Sequence, residues 1–527
     1  MTLILHNGIV RTMDAAHPVA QAIALSGGRV LAVGSDREVL LAAGPGADAE
    51  VIDLRGRLVL PGFTDSHLHF LWYALGLTRP NLDGARSLAQ ALARLRPALA
   101  TVPRGQWIVG SGWNHEEWAE PRFPRCQDLD AVAPDHPVAL RRKDGHSVWV
   151  NSRALALTGI TRATADPPGG RIDRDAVGEP TGILRENATA LVLDHVPPPS
   201  REDLRRALAA GLTNAHALGL TGIHDMEGAD ALAVFEEAHA RSELSLRVTM
   251  QIPAESLDHA LALGLRSGLG DDTLRIGALK LFADGSLGSQ TAWLLEPYEG
   301  QPHNAGVATT PPEDLADAVA RAAKGGIACA IHAIGDRANR EVLDILERSA
   351  TRAGLRHRIE HVQLLHPTDV PRLARLGVVA SMQPIHATSD RYMADRLWGS
   401  RCRYGYAWRS LLDAGTVLAF GSDCPVETPD PLRGVYAAVA RKRADEPDSA
   451  PWYGQERITV EEAVRAYTWG AAYACGEEKR RGTLRPGMLG DVVVLSQDIF
   501  VLAPEAILET TVDYTVFDGQ VVYRRQG

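Results

Sequence analysis

The chain has 527 residues, of which 45% are hydrophobic and 23% are charged, and its formal net charge is −10. This composition is ordinary for a globular protein and supports a large domain with an accessory one. The acidic balance, without a basic stripe, argues against nucleic acid as a partner. No apolar run approaches the roughly 18 residues of a membrane helix, so we expect no membrane partner either.

The cysteines indicate a reducing compartment. Five cysteines are scattered along the chain without CxxC spacing, which is typical of free thiols and not of a disulfide framework. The N-terminal stretch "MTLILHNGIV" has no basic segment before an apolar one, as a signal peptide would. Together these features predict a cytoplasmic protein.

Both ends of the chain have β character. The runs "LILHNGIVRTM" and "AIALSGGRVLAVG" near the N-terminus, and "GDVVVLSQ" and "DYTVFDGQVVYRR" near the C-terminus, are short strands broken by hairpin turns. We therefore predict one small β-sandwich domain, built from residues 1–58 and 478–527. If the protein is a homo-oligomer, this domain is a candidate contact surface.

Between the two ends, strand patterns alternate with amphipathic helix patterns. Eight apolar strand runs are present: "RLVLPGF", "TGIHDM", "LRVTM", "RIGALKLF", "GIACAIHA", "HRIEHV", "GVVASMQ" and "TVLAFGSD". Their alternation predicts an α/β fold, a (β/α)8 TIM-like barrel over residues 59–477, with its active site at the carboxyl ends of the strands. Residues 71–200 interrupt the alternation and predict a subdomain inserted over the barrel mouth.

The first of these strands ends in "PGFTDSHLHF", which has polar residues at alternate positions. Side chains two residues apart project to one side of a strand, so Asp65, His67 and His69 converge. The two imidazoles are therefore able to share one cation. An isolated pair of this kind is a weak signal, because it also fits polar surface or a hydrogen-bonded core pair.

Other strand runs carry ionisable residues at similar places. His332, His361 and Asp423 each end an apolar strand, and Lys280 lies inside one. A buried charge is costly unless it is paired or bound to a metal. Each residue alone also fits a core histidine or a helix-capping carboxylate. Their coincidence at strand ends of one predicted barrel favours a metal site.

These motifs in combination resemble the amidohydrolase superfamily, and within it amidohydrolase family 3, which includes N-substituted formamide deformylases. The matching stretches are "LPGFTDSHLHF", "DGHSVWVNSRAL", "KLFADGSLGSQTA", "IHAIGDRAN", "RIEHVQ", "GSDCPV" and "RPGMLGDVVVL". They extend over essentially the whole chain.

The resemblance implies a binuclear metal centre in the barrel mouth. His67, His69 and Asp423 would bind one metal, His332 and His361 would bind the second, and Lys280 would bridge both as an N-carboxylated side chain. Imidazole and carboxylate ligands suit Zn²⁺, and Mn²⁺ or Fe²⁺ would also fit. The alternative is an unmodified Lys280 paired with Asp284 and a single metal ion.

The expected activity is hydrolysis of a carbon–nitrogen bond in a small-molecule amide, an N-substituted formamide or a cyclic amide. A metal-activated hydroxide would attack the carbonyl carbon, and Asp423 would act as general base and then as general acid. Two alternatives stay open. The same site would hydrolyse an ester or a carbamate, or the chain would be a non-catalytic barrel that serves as a scaffold or binding protein.

Two segments offer substrate contacts. The candidates in the inserted segment are Trp113, His146 and Asn151, and those in the loop after the Lys280 strand are Ser286, Ser289 and Thr291. A loop of small residues at a strand end fits close approach of a substrate. The alternatives are structural, because Trp113 also fits the core of the inserted segment and the loop also fits an ordinary turn.

Overall fold

The computed structural model describes residues 2–44, 49–143, 145, 147–349 and 354–526. The chain divides into two compact units. The first unit comprises Met1–Phe70 and Leu212–Gly527, and the second comprises Leu71–Gly211. The helices Phe70–Leu77 and Arg201–Ala217 contain the two boundaries.

Eight parallel strands form the central sheet of the first unit, and each pairs with its neighbour in chain order. These strands are β1 (Phe63–Leu68), β2 (Leu220–Asp225), β3 (Arg247–Pro253), β4 (Leu274–Phe282), β5 (Cys329–Ala333), β6 (Arg358–His361), β7 (Val379–Met382) and β8 (Leu418–Phe420). Most of their residues are buried, as expected for parallel strands covered on both faces. The predicted (β/α)8 barrel is confirmed, but the run "RLVLPGF" is not its first strand. The run is interrupted at Gly62, so that Leu58–Pro61 pairs in a separate six-stranded sheet and the barrel begins at Phe63.

The segment after β8 meets β1, which brings the two outer strands of the sheet together. The Asp423 N–H donates a hydrogen bond to the His67 carbonyl oxygen at 2.7 Å, and the His69 N–H donates one to the Cys424 carbonyl oxygen at 2.8 Å. Gly421 is needed for this approach, because a Cβ there would lie 2.5 Å from the His67 backbone nitrogen.

Helices follow the strands. They are Ala229–Ala240 after β2, Leu257–Ala262 after β3, Pro312–Gly325 after β4, Asp336–Arg348 after β5, Val370–Leu376 after β6, Pro384–Ser389, Arg391–Trp398 and Trp408–Asp413 after β7, and Pro431–Ala440, Val460–Arg465 and Ala471–Ala474 after β8. Pro312–Gly325 has acidic residues in its first turn and ends at Gly326, whose φ of 83° only glycine adopts readily. The helix–strand alternation read from the sequence is therefore the one observed.

Strands from both ends of the chain form two further sheets in the first unit. The four-stranded sheet contains Thr2–His6, Ala22–Ser26, Arg29–Gly34 and Ala49–Asp53, and the six-stranded sheet contains Ile9–Arg11, Val19–Ala20, Leu58–Pro61, Val492–Leu495, Val512–Phe517 and Gln520–Arg524. The helix Asp36–Ala43 accompanies them in the N-terminal segment. Leu5, Ile23, Val494 and Val516 belong to one buried cluster. The two termini therefore share a hydrophobic core, while the exact domain boundaries stay predictions.

The second unit has its own sheet and core. Its five strands, in spatial order, are Gly170–Arg174, Pro180–Glu186, Ser147–Val150, Val138–Arg142 and Ile108–Trp113. Its short helices include Leu88–Ala93, Arg96–Thr101, Cys126–Asp130, Ser152–Leu157 and Ala190–Leu193. Trp113 and Trp149 pack edge to face with ring centroids 6.2 Å apart in its core.

Within the described ranges, no helix combines the length and the apolar character needed to cross a bilayer.

Candidate metal centre

The carboxyl end of β1 supplies the first two imidazoles. His67 is almost completely buried, whereas the His69 side chain is partly exposed. Asp65, two residues before His67, accepts hydrogen bonds from the N–H groups of His67 and Ser422 at 3.0 and 3.1 Å. The Asp65 carboxylate therefore joins the end of β1 to the segment after β8, and its role is to position that end.

Asp423, from the segment after β8, lies beside both imidazoles. Its Oδ1 is 3.6 Å from His67 Nε2 and 3.5 Å from His69 Nε2. Asp423 has a φ of 58°, in the left-handed region that non-glycine residues adopt at a cost. Such conformations cluster at functional sites, where the surrounding structure holds a side chain in a required direction.

His361, at the end of β6, joins the same cluster. Its ring centroid is 4.8 Å from that of His67. The potential ligand atoms of His67, His361 and Asp423 all lie within 4.8 Å of one another. His361 also has a positive φ, at 75°. Asp423 and His361 are thus both held in strained backbone conformations. The cluster brings together residues more than 290 positions apart in the chain.

His332, at the end of β5, extends the cluster. Its ring centroid is 4.5 Å from that of His361, and its Nε2 lies 2.9 Å from the Gly285 carbonyl oxygen. If Nε2 donates its proton to that carbonyl, Nδ1 is left with a lone pair and becomes the atom able to ligate. His332 is therefore adjacent to the site, and its role as a ligand stays a prediction.

Lys280, on β4, is buried below these groups. Burial lowers the pKa of Lys280, whereas the carboxylates of Glu360 and Asp423 oppose that shift. Its Nζ lies 4.9 Å from the centroid of the Phe282 ring. The neutral amine is the form that reacts with carbon dioxide, so burial favours carboxylation of Lys280, which stays a prediction.

Asp284, the alternative partner of Lys280, accepts hydrogen bonds from three backbone N–H groups. Its carboxylate accepts hydrogen bonds from the N–H groups of Trp293, Ile334 and Gly335 at 2.8 to 3.0 Å. Asp284 therefore joins the loop after β4 to the loop after β5. These contacts give it a structural task that does not involve the Lys280 ammonium.

The charges of the cluster favour a metal ion. Burial lowers the pKa of both His67 and His332 to about 4, and Lys280 adds to the effect. Burial alone would raise the pKa of Asp423, but the hydrogen bond with His69 and the nearby imidazoles hold it well below its usual value. Neutral imidazoles beside an ionised carboxylate are the protonation states that Zn²⁺, Mn²⁺ or Fe²⁺ require. The donor set therefore fits a divalent cation.

Glu360 is an important residue that the sequence analysis missed. Its Oε2 lies 2.6 Å from His67 Nδ1. Burial would raise the pKa of Glu360, but the Arg358 guanidinium and His67 keep it well below its usual value. A carboxylate on the far nitrogen fixes the ring and directs Nε2 toward the site. Two charged residues in the short strand "RIEH" were the signal that could have revealed this pair.

Arg358 connects this carboxylate to the barrel interior. It donates hydrogen bonds to Glu360, to the Ser66 carbonyl oxygen and to the Ser381 hydroxyl, and its Nη1 lies 2.8 Å from His224 Nδ1. The buried positive charge is thus neutralised by Glu360, and each guanidinium nitrogen has at least one acceptor. This network joins the β1 and β6 ends.

The segment after β7 contributes two residues that were also missed. Gln383 Oε1 lies 2.9 Å from His361 Nδ1, so it orients that ring as Glu360 orients His67. His386 Nε2 lies 3.9 Å from Asp423 Oδ2, and the His386 and His361 rings are nearly parallel, with centroids 6.3 Å apart. The motif "MQPIHA" directly after an apolar strand was the available signal.

The loop after β4 holds the three hydroxyl candidates for substrate contact. Ser289 Oγ lies 2.8 Å from Ser286 Oγ and 2.6 Å from Thr291 Oγ1. The Ser286 N–H also donates to Thr291 Oγ1 at 3.0 Å. The hydroxyls therefore stabilise the loop through one another, and contact with a substrate stays a prediction.

Two of the three substrate-contact candidates in the second unit, Trp113 and Asn151, have structural roles. Trp113 is fully buried and its Nε1 donates a hydrogen bond to the Leu140 carbonyl oxygen at 2.8 Å. Asn151 caps the helix Ser152–Leu157 and bonds four backbone groups through its amide. These contacts favour the structural alternative. His146 lies outside the described residues.

Comparison with known proteins is consistent with this geometry. The amidohydrolase family model Amidohydro_3 matches residues 50–523. The YtcJ protein of Bacillus subtilis is 35% identical over the full length of both chains. An N-substituted formamide deformylase of Arthrobacter pascens is 32% identical, over 100% of this chain and 99% of that protein.

Solved structures agree with the family match. A metal-dependent hydrolase of Pyrococcus furiosus superposes with a TM-score of 0.79 at 30% identity, over 95% of this chain and 100% of that one. The atrazine chlorohydrolase TrzN of Arthrobacter aurescens, solved with zinc, superposes at 0.55 with 17% identity, over 99% and 95% of the two chains, which shows a shared fold. The chain therefore belongs to the amidohydrolase family and is a hydrolase acting on carbon–nitrogen bonds.

Proposed function

We propose that the cluster at the barrel mouth binds divalent metal and hydrolyses the carbon–nitrogen bond of a small N-substituted amide. The observation that carries this proposal is the convergence of ligand atoms from His67, His361 and Asp423 within 4.8 Å of one another. Groups of this chemistry, brought from three different strands of one barrel, have little structural reason to meet without a cation between them.

The proposed ligands are those that the resemblance implies, namely His67, His69, Lys280, His332, His361 and Asp423. Zinc is the first choice, because three or more imidazoles with a carboxylate form a common zinc donor set. Manganese or iron would also fit. The burial of Lys280 beside these groups supports its carboxylation, since a carbamate supplies negative charge and two oxygen ligands where an ammonium would repel the cations.

Asp423 is proposed to carry the proton through the reaction. When bound, the metal supplies a water molecule of lowered pKa and polarises a carbonyl oxygen. Asp423 Oδ2 accepts a proton from the attacking water as the oxygen–carbon bond forms. The same oxygen then delivers that proton to the amide nitrogen as the carbon–nitrogen bond breaks. The products are a carboxylic acid and an amine, so atoms and charge balance.

N-substituted formamides are the proposed first substrates. Support comes from the formamide deformylase of Arthrobacter pascens, which aligns over the full length of this chain. Cyclic amides follow, and esters or carbamates are the second candidate class, because an attacking water of this kind reacts with any activated carbonyl. A non-catalytic scaffold is disfavoured by the family membership.

The test is a substrate panel with metal-reconstituted protein. N-methyl-, N-butyl- and N-cyclohexylformamide, the matching acetamides, a cyclic amide and butyl formate would be incubated with protein of measured metal content. Release of amine from formamides, absent from an Asp423→Asn control, is the expected result. Turnover of butyl formate alone would assign the site to esters. Inactivity on every substrate with stoichiometric metal bound would contradict the proposal.

A further inference from the structure

His386 is a fifth imidazole at the cluster, and the proposed ligand set does not use it. It lies in the helix Pro384–Ser389, which begins directly after β7, and it is 7% exposed. The proline at the start of that helix fixes the backbone just past the strand. His386 is therefore carried by an element fixed at the end of β7, and its Nε2 lies near Asp423.

The Nε2 atom of His386 is buried and has no hydrogen-bond partner within the part of the chain that the structure describes. Buried polar atoms are nearly always hydrogen-bonded, and an exception requires an explanation. His67 and His361 have their far nitrogens held by Glu360 and Gln383. The unpartnered atom of His386 instead faces the groups that would surround a substrate.

A short gap separates His386 Nε2 from the carboxylate of Asp423. Asp423 Oδ1 lies next to His67 and His69, whereas Oδ2 faces His386 at 3.9 Å. That separation is too long for a direct hydrogen bond. A substrate group adjacent to Asp423 Oδ2 would therefore also lie within hydrogen-bonding distance of His386 Nε2. The two side chains would contact the same part of the substrate.

We propose that His386 is a catalytic residue that donates its Nε2–H to the acyl oxygen of the substrate, an inference that rests on the proposed function. As water adds to the carbonyl carbon, the π electron pair moves onto that oxygen and the hydrogen bond strengthens. When the carbon–nitrogen bond breaks, the pair returns and the hydrogen bond weakens. The proton stays on Nε2 throughout, and Asp423 alone transfers one.

A donor is better used on the acyl oxygen than on the other substrate atoms. Negative charge develops there in the transition state, and a preorganised N–H stabilises that charge more than it stabilises the neutral carbonyl. The leaving nitrogen needs a complete proton, which Asp423 supplies. The attacking water needs an acceptor, which Asp423 Oδ2 also supplies.

The test compares two substitutions at one position. His386→Leu replaces the donor with an apolar side chain of similar size, whereas His386→Gln keeps an N–H donor. Thr388→Val, on the same helix, is the matched control, because the Thr388 hydroxyl donates a hydrogen bond within its own turn, to the Ile385 carbonyl oxygen. Metal content, thermal unfolding and N-butylformamide kinetics would be measured for each protein.

We expect His386→Leu to lower kcat by about 100- to 1000-fold with KM changed by less than about threefold, as for loss of an oxyanion donor. His386→Gln should recover at least tenfold, and both variants should bind metal at the wild-type stoichiometry. Loss of metal in His386→Leu would make His386 a ligand and overturn the proposal. Equal activity of the Gln and Leu variants would overturn it as well.

A second readout separates this inference from the proposed function. Methylphosphonate, a tetrahedral anion, would be titrated into metal-loaded wild-type and variant proteins. Binding weakened at least tenfold in His386→Leu and restored in His386→Gln is expected even if no amide in the panel is turned over. Equal affinity in all three proteins would overturn the role of His386, whatever the substrate is.

Discussion

The barrel mouth and the core of the second unit both bury polar side chains, but they treat them differently. Asn151 in the second unit bonds four backbone groups, so its amide has no capacity left for a ligand. At the barrel mouth, His386 Nε2 has no partner among the described residues, and His67, His361 and Asp423 present ligand atoms to one another. The comparison between Asn151 and the groups at the barrel mouth teaches that burial of a polar side chain does not by itself indicate function, because the side chain can be fully used by the backbone.

Metal removal is the strongest way to break this comparison. If the cluster at the barrel mouth exists to hold a cation, dialysis against a chelator should abolish amide hydrolysis and addition of Zn²⁺, Mn²⁺ or Fe²⁺ should restore it. Activity and metal content, measured on the same samples, are expected to fall together. Full activity in protein free of metal would show that the convergence of imidazoles has another purpose.

Asp423→Asn tests the one group that is proposed both to ligate and to transfer a proton. The amide keeps the shape and one oxygen ligand but cannot accept a proton, so we expect kcat to fall by about 10³- to 10⁴-fold with metal still bound. Amine release and metal analysis are the measurements. A variant with wild-type turnover would remove Asp423 from the mechanism.

Glu360→Gln tests the carboxylate that orients the His67 ring. The neutral amide would hold the His67 ring less firmly and would leave the buried Arg358 charge without its counter-ion. Loss of such a supporting carboxylate should weaken metal affinity by about 10- to 100-fold. Competition with a chromophoric chelator would measure the affinity. Unchanged affinity together with unchanged thermal stability would contradict the role given to Glu360.

Asn151→Ala moves the test to the second unit. Removing a helix cap and leaving buried backbone groups unsatisfied should lower the free energy of unfolding by about 2 kcal/mol. Denaturant unfolding followed by tryptophan fluorescence suits this unit, since Trp113 and Trp149 lie in its core. A large change in KM at unchanged stability would instead support the substrate contact predicted from the sequence.

Ser289→Ala should have the smallest effect. Ser289 is exposed and its hydroxyl links Ser286 and Thr291. Loss of an exposed hydrogen-bonded hydroxyl should change the free energy of unfolding by less than about 1 kcal/mol and leave KM within about threefold. A tenfold or larger rise in KM would show that this loop contacts the substrate directly.

The sequence was a good guide where local pattern and local chemistry agree. Seven of the eight apolar runs form barrel strands, whereas "RLVLPGF" supplies Leu58–Pro61 to the six-stranded sheet. The helices between the runs also follow the pattern, and His67, His361 and Asp423 lie at or just after strand ends. It was a poor guide to residues that matter only through their neighbours. In the sequence Glu360 is an ordinary strand charge, and its importance follows from the 2.6 Å between its Oε2 and Nδ1 of His67, 293 positions away.

The amino-acid sequence by itself determined the barrel, the sharing of a β core between the two termini and the identity of the groups at the strand ends. These features follow from hydrophobic periodicity and from residue chemistry, which are both local. Only the tertiary structure decided how those groups are oriented: the carboxylate on His67, the amide on His361 and the unpartnered nitrogen of His386. Hydrogen-bond completeness depends on atoms from distant strands, and no local pattern contains that information.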